Sequence, residues 1–208
     1  MTTVYLCRHS VPFKEHRGKE LNSLDKLTIN MMSPLSVLGE KKAERLSEYL
    51  KNIDVVWSSN YSRAMSTAKY IAYKNDLKVN VDERLGERIH GNLDNVDIKE
   101  FYNNQMLYED YKLDNGESRI EVTKRMLDSL YEILEENNNK NIFICSHSTS
   151  IIFLLMKWCT IDYDNKVLNY NNKFLFDFMN WNAPELFKLT FDNKELINIE
   201  HIKGEEYE

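Results

Sequence analysis

The sequence predicts an α/β fold, a three-layer α/β/α sandwich around a mainly parallel central sheet, on two observations. Three short apolar runs, Thr3–Cys7, Ile53–Trp57 and Asn141–Cys145, are rich in β-branched and aromatic residues, as strands buried on both faces should be. Each runs into polar residues able to open a turn or helix: Arg8-His9, Ser58-Ser59 and Ser146-His147. The segments between them carry helical periodicity, and strands alternating with helices imply parallel crossovers.

The elements follow in order. After the first strand, Leu35, Leu38, Ala43, Leu46 and Leu50 keep helical spacing, with Ser36 placed as N-cap. Beyond the second strand, the segment from Tyr61 to Tyr73 puts Ala64, Thr67, Ala68 and Ile71 on one face. Residues 94–113 are polar and aromatic, with Phe101, Tyr102, Tyr108 and Tyr111, and are expected to form a lid insertion over the sheet edge. Ser118 and Glu121 form a capping box, opening a helix whose predicted core stripe is Ile120, Thr123, Leu127, Leu130 and Leu134. Ser148 to Cys159 is apolar almost all round, which predicts a buried helix. Leu186–Phe191 and Glu195–Ile202 flank Asp192-Asn193-Lys194 as a hairpin, and the terminal GEEYE is expected to be solvated. A single domain over 1–208 is expected, since no internal linker or repeat is visible.

Composition narrows the function classes. The formal net charge of −6 argues against a general attraction to nucleic acid or anionic membrane, so an anionic substrate would need a local cationic cluster. The apolar stretch Ile151–Met156 is too short to span a bilayer, and the N-terminal run is too short for a signal segment. Cys7, Cys145 and Cys159 have no zinc-like spacing and read as reduced cysteines of a cytoplasmic protein, Cys7 and Cys145 as small core residues. His16, His90 and His201 show no ligand spacing, so no metal and no cofactor is expected.

In a parallel sheet the carboxyl ends of the strands share one edge, where ligands bind. That places Arg8, His9, Ser58, Ser59, Ser146 and His147 together. Leu6-Cys7-Arg8-His9 resembles the Arg-His motif of the histidine phosphatase (phosphoglycerate mutase-like) superfamily. The Ser58-Ser59 pair with Arg63-Ala64 and Thr67-Ala68 is similar to its second signature, and Leu85-Gly86-Glu87 to the block bearing its acid. Gly116-Glu117-Ser118 with Arg125 resembles its Gly-Glu-Ser helix start, and Ser146-His147-Ser148 its last catalytic histidine. The motifs occur in the family's order. The resemblance implies the phosphoglycerate mutase-like fold and a metal-independent phosphoric monoester hydrolase working through a phosphohistidine.

Elementary chemistry agrees. Hydrolysing a phosphate ester requires a nucleophile, a clamp for the phosphoryl oxygens and an acid for the leaving alcohol. A neutral imidazole can attack near neutral pH, which suits His9 to the first role. Arg8 and Arg63 offer forked, charge-assisted donors, the second at a helix N-terminus that itself favours an anion. His147 is expected to be a further phosphate donor, protonated while the phosphoryl group is bound. Glu87 is the candidate general acid, provided Arg84 and Arg88 do not point at it. Arg88 could instead hold a second anionic group or be a surface charge, and Ser10 is a further candidate for substrate contact. Glu117 reads as an acid favouring its helix N-terminus.

Ser10-Val11-Pro12 departs from the Gly common after the family's Arg-His pair. Phe13-Lys14-Glu15-His16 lacks the Trp-Asn of phosphoglycerate mutases, which favours a phosphatase. The stretch Phe13–Ser33 and the insertion at 94–113 are expected to wall the site around a small phosphorylated metabolite. The alternatives are mutase-type phosphoryl transfer and a non-catalytic phosphate-binding module.

Overall fold

The three apolar runs form the centre of one sheet. The computed structural model of the chain describes residues 1–13 and 25–207. Strand β1 (Thr2–Arg8) is followed by α1 (Lys26–Met32), α2 (Val37–Tyr49), β2 (Val55–Ser58), α3 (Ser62–Lys74) and β3 (Val79–Val81). Then come α4 (Ile98–Leu107), α5 (Arg119–Glu136), β4 (Asn141–Ser146) and α6 (Ser148–Leu155). Five strands complete the chain: β5 (Thr160–Asp162), β6 (Val167–Tyr170), β7 (Lys173–Asp177), β8 (Glu185–Asp192) and β9 (Glu195–Ile202).

The main sheet has the order β3-β2-β4-β1-β8-β9. Its first four strands are parallel, and β8 and β9 add antiparallel pairs at the far side. The predicted hairpin is therefore part of the main sheet. Alternation along the strands divides the core in two. Val4, Leu6, Ile142 and Ile144 pack against α5 and α6, while Cys7, Val56, Phe143 and Cys145 pack against α2 and α3. These are the three layers of the expected sandwich. A second, three-stranded antiparallel sheet, β5-β6-β7, was not predicted; its strands are short and lack a strong period-2 signal. Among the described residues no helix is long and apolar enough to cross a membrane.

Ser36 caps α2 by accepting from the Gly39 N–H, and Ser118 with Glu121 caps α5 reciprocally, both as the sequence predicts. The stripe read for α5 is partly corrected. Leu130 and Leu134 are buried, but Ile120 is 47% exposed, and Val122, Met126 and Ile133 carry the rest of the core face. The helix packs on both the sheet and α6, so its buried arc is wider and turned from a single stripe. The tail is also corrected. Gly204 and Tyr207 are buried, and the Tyr207 hydroxyl donates to the Pro184 carbonyl at 3.1 Å, leaving Glu205 and Glu206 in solvent. Within 94–113, α4 buries Phe101 and Gln105. Of the Phe13–Ser33 stretch, residues 14–24, with His16, lie outside the described residues.

Candidate active site

Register brings the reactive side chains to one place. Arg8 pairs with Ser146 and Ser58 with Cys145, so β1, β2 and β4 end level with one another. The chain leaving each strand is stitched to its neighbour: the His9 N–H donates to the Ser146 carbonyl at 3.0 Å, and the Ser59 N–H to the Cys145 carbonyl at 2.9 Å. At this edge lies a cavity of about 510 Å³. Arg8, His9, Arg63, Glu87 and Ser148 line it, and Pro12, Phe13, Lys26, Ile29, Asn30 and Ser33 form its opposite wall.

His9 is 5% exposed and has both ring nitrogens engaged. Nδ1 lies 2.7 Å from the Ser10 carbonyl oxygen, an acceptor, so Nδ1 carries the proton. Nε2 accepts from the Arg63 Nε–H at 2.9 Å, so its lone pair points into the site. Burial, then the positive charge of Arg63, pushes the His9 pKa well below the ordinary 6.5, against the pull of the Ser10 carbonyl. The ring is therefore neutral at pH 7, with its lone pair on Nε2, where Arg63 donates.

His147 is fully buried between Tyr61 and His9, whose ring centres lie 4.6 and 5.0 Å away. Arg63 Nη2 lies 3.2 Å from Nδ1 and can only donate, so Nδ1 accepts and Nε2–H donates to the Ser59 hydroxyl at 2.8 Å. Burial first, then the neighbouring His9 and Arg63, lowers its pKa well below 6.5. Arg63 thus touches both imidazoles from the first turn of α3, and its Nη1 donates to the Asn30 carbonyl at 2.5 Å. Arg8 donates from Nη1 to the Asn182 carbonyl at 2.7 Å, beside the Trp181 ring. Burial lowers the pKa of both arginines, and Glu87 acts in the opposite direction on each.

Glu87 Oε1 accepts from the Arg88 N–H at 3.0 Å and the Ser150 N–H at 3.2 Å, and the Ser150 hydroxyl, also 3.2 Å from Oε1, donates to the Gly86 carbonyl at 2.8 Å. Arg84 is drawn away by Asp82 and Glu132. Arg125 braces the loop instead, donating to the carbonyls of Arg84, Gly86 and Glu87 while its Nε lies 2.7 Å from Glu117 Oε1. Glu117 also accepts from the Ile89 N–H at 2.9 Å, so it anchors this loop as well as standing before α5.

Two expected contacts lie elsewhere. Ser10 is fully buried, donating its hydroxyl to the Gly39 carbonyl and its N–H to Thr67 Oγ1, and does not line the cavity. Arg88 is 1% exposed and so no surface charge: its guanidinium lies beside Phe101 and Phe153, and its Nε donates to the Glu117 carbonyl at 2.7 Å. Sequence reasoning missed Asn30, Trp181, Asn182 and Ser150, which have no motif to mark them. Among the described residues, no three His, Cys, Asp or Glu side chains group closely enough to hold a metal ion.

These features define an α/β sandwich with a histidine–arginine cluster at the carboxyl edge of its parallel strands. The family model of the histidine phosphatase superfamily (branch 1) matches residues 4–172, and the chain belongs to that superfamily. It is 27% identical over 157 residues to "Uncharacterized phosphatase PhoE" of Bacillus subtilis (strain 168), covering 74% of this chain and 76% of that protein. It is 30% identical over 166 residues to "Probable phosphoglycerate mutase GpmB" of Yersinia pestis (strain Pestoides F), covering 74% of each. Among solved structures, a phosphoserine phosphatase mutant from Entamoeba histolytica bound to phosphoserine has a TM-score of 0.68 at 20% identity, over 99% of each chain. A mycobacterial glucosyl-3-phosphoglycerate phosphatase complexed with VO3 has a TM-score of 0.66 at 18% identity, over 96% of each. The fold is that of the superfamily.

Proposed function

We propose that this chain is a metal-independent phosphomonoesterase that hydrolyses a small phosphorylated metabolite through a phosphohistidine intermediate. The observation that carries the reading is the tautomer of His9. A buried, neutral imidazole with Nδ1–H tied to the Ser10 carbonyl presents its Nε2 lone pair in a cavity lined by Arg8, Arg63 and Glu87.

In the first step a phosphate ester enters with its phosphorus opposite Nε2. Arg63 transfers its N–H donors from the two imidazoles to phosphoryl oxygens, and Arg8 supplies further donors. The N–P bond forms as the ester P–O bond breaks, and Glu87 gives a proton to the departing alkoxide. Oε1 of Glu87 is held by two main-chain N–H donors, which leaves Oε2 as the oxygen to carry the proton. His147 keeps its Nε2–H on Ser59, and a bound dianion beside Nδ1 favours a second proton there, making the ring a cationic donor. In the second step water attacks phosphorus, Glu87 takes its proton, and the N–P bond breaks to release phosphate and restore His9.

The cavity size and its walls from residues 12–13 and 26–33 support a small ester over a phosphoprotein. The phosphatase name of the Bacillus relative supports hydrolysis, as does the absence of a Trp-Asn pair in Phe13-Lys14-Glu15-His16, while the name of the Yersinia relative makes mutase-type transfer the alternative. The test is hydrolysis of p-nitrophenyl phosphate in chelator, comparing the natural protein with His9→Ala. Turnover in the first and none in the folded second is expected, with acid quenching trapping labelled phosphohistidine only when His9 is present. Phosphate binding without turnover of any ester would favour the non-catalytic module.

A further inference from the structure

Among the described residues Glu185 is the only acidic side chain that is buried, at 0% exposure. It stands directly across the β1–β8 pairing from Arg8. A carboxylate so placed is costly unless paired and hydrogen-bonded, and an apolar residue is often the more stable choice in such a site. The fold nevertheless surrounds this one with donors. The Asn182 N–H reaches Oε2 at 2.6 Å, and His201 Nε2 lies 2.8 Å from Oε1. His201 is itself wedged between the rings of Phe176 and Phe187, at 4.9 and 5.2 Å between centres. Asn182, held through its N–H by Glu185, holds the Arg8 Nη1 through its carbonyl at 2.7 Å. Trp181, one residue earlier, lies against the same guanidinium, 5.5 Å from ring centre to Cζ.

We infer that Glu185, anchored by His201, is a positioning residue for Arg8, acting through the Asn182 main chain to fix the guanidinium that receives the phosphoryl group. The inference rests on the phosphatase reading above. The line of contacts runs from the imidazole to the carboxylate, then through the backbone to the guanidinium, and it reaches the cavity only at Arg8. With Nη1 committed to Asn182, the plane of the Arg8 fork is set before any anion arrives, so less orientational freedom is lost on binding. Without the carboxylate, the Asn182 N–H loses its charged acceptor and Arg8 loses its fixed plane. The effect falls on phosphate affinity and leaves the attack by His9 unaltered.

The experiment measures inorganic phosphate affinity by calorimetry, with kcat and KM for p-nitrophenyl phosphate, in the natural protein, Glu185→Gln, Arg8→Lys and the double variant. Glu185→Gln is expected to weaken phosphate binding roughly tenfold, the scale of one charge-assisted hydrogen bond, and to raise KM alike. Its kcat should stay within about threefold. In the Arg8→Lys background the same substitution should add almost nothing, because the group through which Glu185 acts is already gone. Unchanged affinity and KM, a loss confined to kcat, or full additivity in the double variant would each overturn the inference. If Glu185→Gln does not fold, His201→Gln serves in its place at a position 16% exposed, with a smaller rise in KM expected and an unchanged KM counting against the idea. A natural protein that neither binds phosphate nor hydrolyses the ester would sink the functional reading itself, an outcome distinct from the failure of Glu185 alone.

Discussion

His9, Arg63, His147 and Glu87 each take their chemistry from neighbours that one residue's identity does not reveal. The sequence marks His9 and His147 as candidates, but which nitrogen carries the proton follows from the Ser10 carbonyl on one ring and Ser59 with Arg63 on the other. Arg88 shows the reverse. As a charged residue beside the candidate acid it reads equally well as a ligand group or a surface charge, and the fold buries it beside two phenyl rings. At this scale the role proposed for Glu87 makes a sharp prediction. Glu87→Gln should cut kcat/KM by about 10²- to 10⁴-fold for alkyl phosphates and far less for p-nitrophenyl phosphate, whose leaving group needs no proton. A steeper dependence of rate on leaving-group pKa in the variant is the expected signature. Equal losses across the series would remove the general-acid role.

Between residue and fold, the segment after His9 is held by helix ends. The Ser10-Val11-Pro12 departure makes structural sense once α2 is in place. Ser36 donates to the Val11 carbonyl from both its N–H and its hydroxyl, at 3.0 and 3.1 Å, and Pro12 bridges Leu35. Gly39 permits this approach, because a Cβ there would lie 2.1 Å from the Val11 carbonyl oxygen. Gly39→Ala is therefore expected to raise helix propensity and still destabilise the protein, by about 1–3 kcal/mol through overpacking. It should also lower activity by displacing the chain that carries Ser10 and His9. A denaturant titration with a parallel p-nitrophenyl phosphate assay checks both, and a stabilised, fully active variant would contradict the packing argument. The caps of α2 and α5 were legible because capping is local, a matter of residues three apart. The buried arc of α5 was less so, since it depends on what the helix meets on two sides.

Folding as a whole carries a charge cost that returns as pH dependence. His9 and His147 both have pKa values depressed well below 6.5, by burial above all. As pH falls through 6.5 the unfolded chain takes up protons that the folded chain refuses, so stability is complete above that value and declines below it. The slope is on the order of 1 kcal/mol per pH unit per histidine. Urea midpoints at pH 7.5, 6 and 5 should show this decline, and His147→Gln should flatten it; parallel slopes would mean His147 is not held neutral. By itself the sequence determined the strand–helix alternation, the parallel sheet, and the gathering of Arg8, His9, Ser58, Ser59, Ser146 and His147 at one edge, while Arg63 and Glu87 entered through the family resemblance. These are legible because they rest on local periodicity and on the rule that parallel strands end together. Tertiary structure alone decided that Ser10 and Arg88 turn away from the cavity, and that the 160–177 segment forms a sheet of its own. It alone tied Glu185 and His201 to Arg8. Arg8 meets Asn182 across 174 positions and Ser10 meets Thr67 across 57; such contacts depend on how whole layers settle against one another, and no local pattern of residues records that.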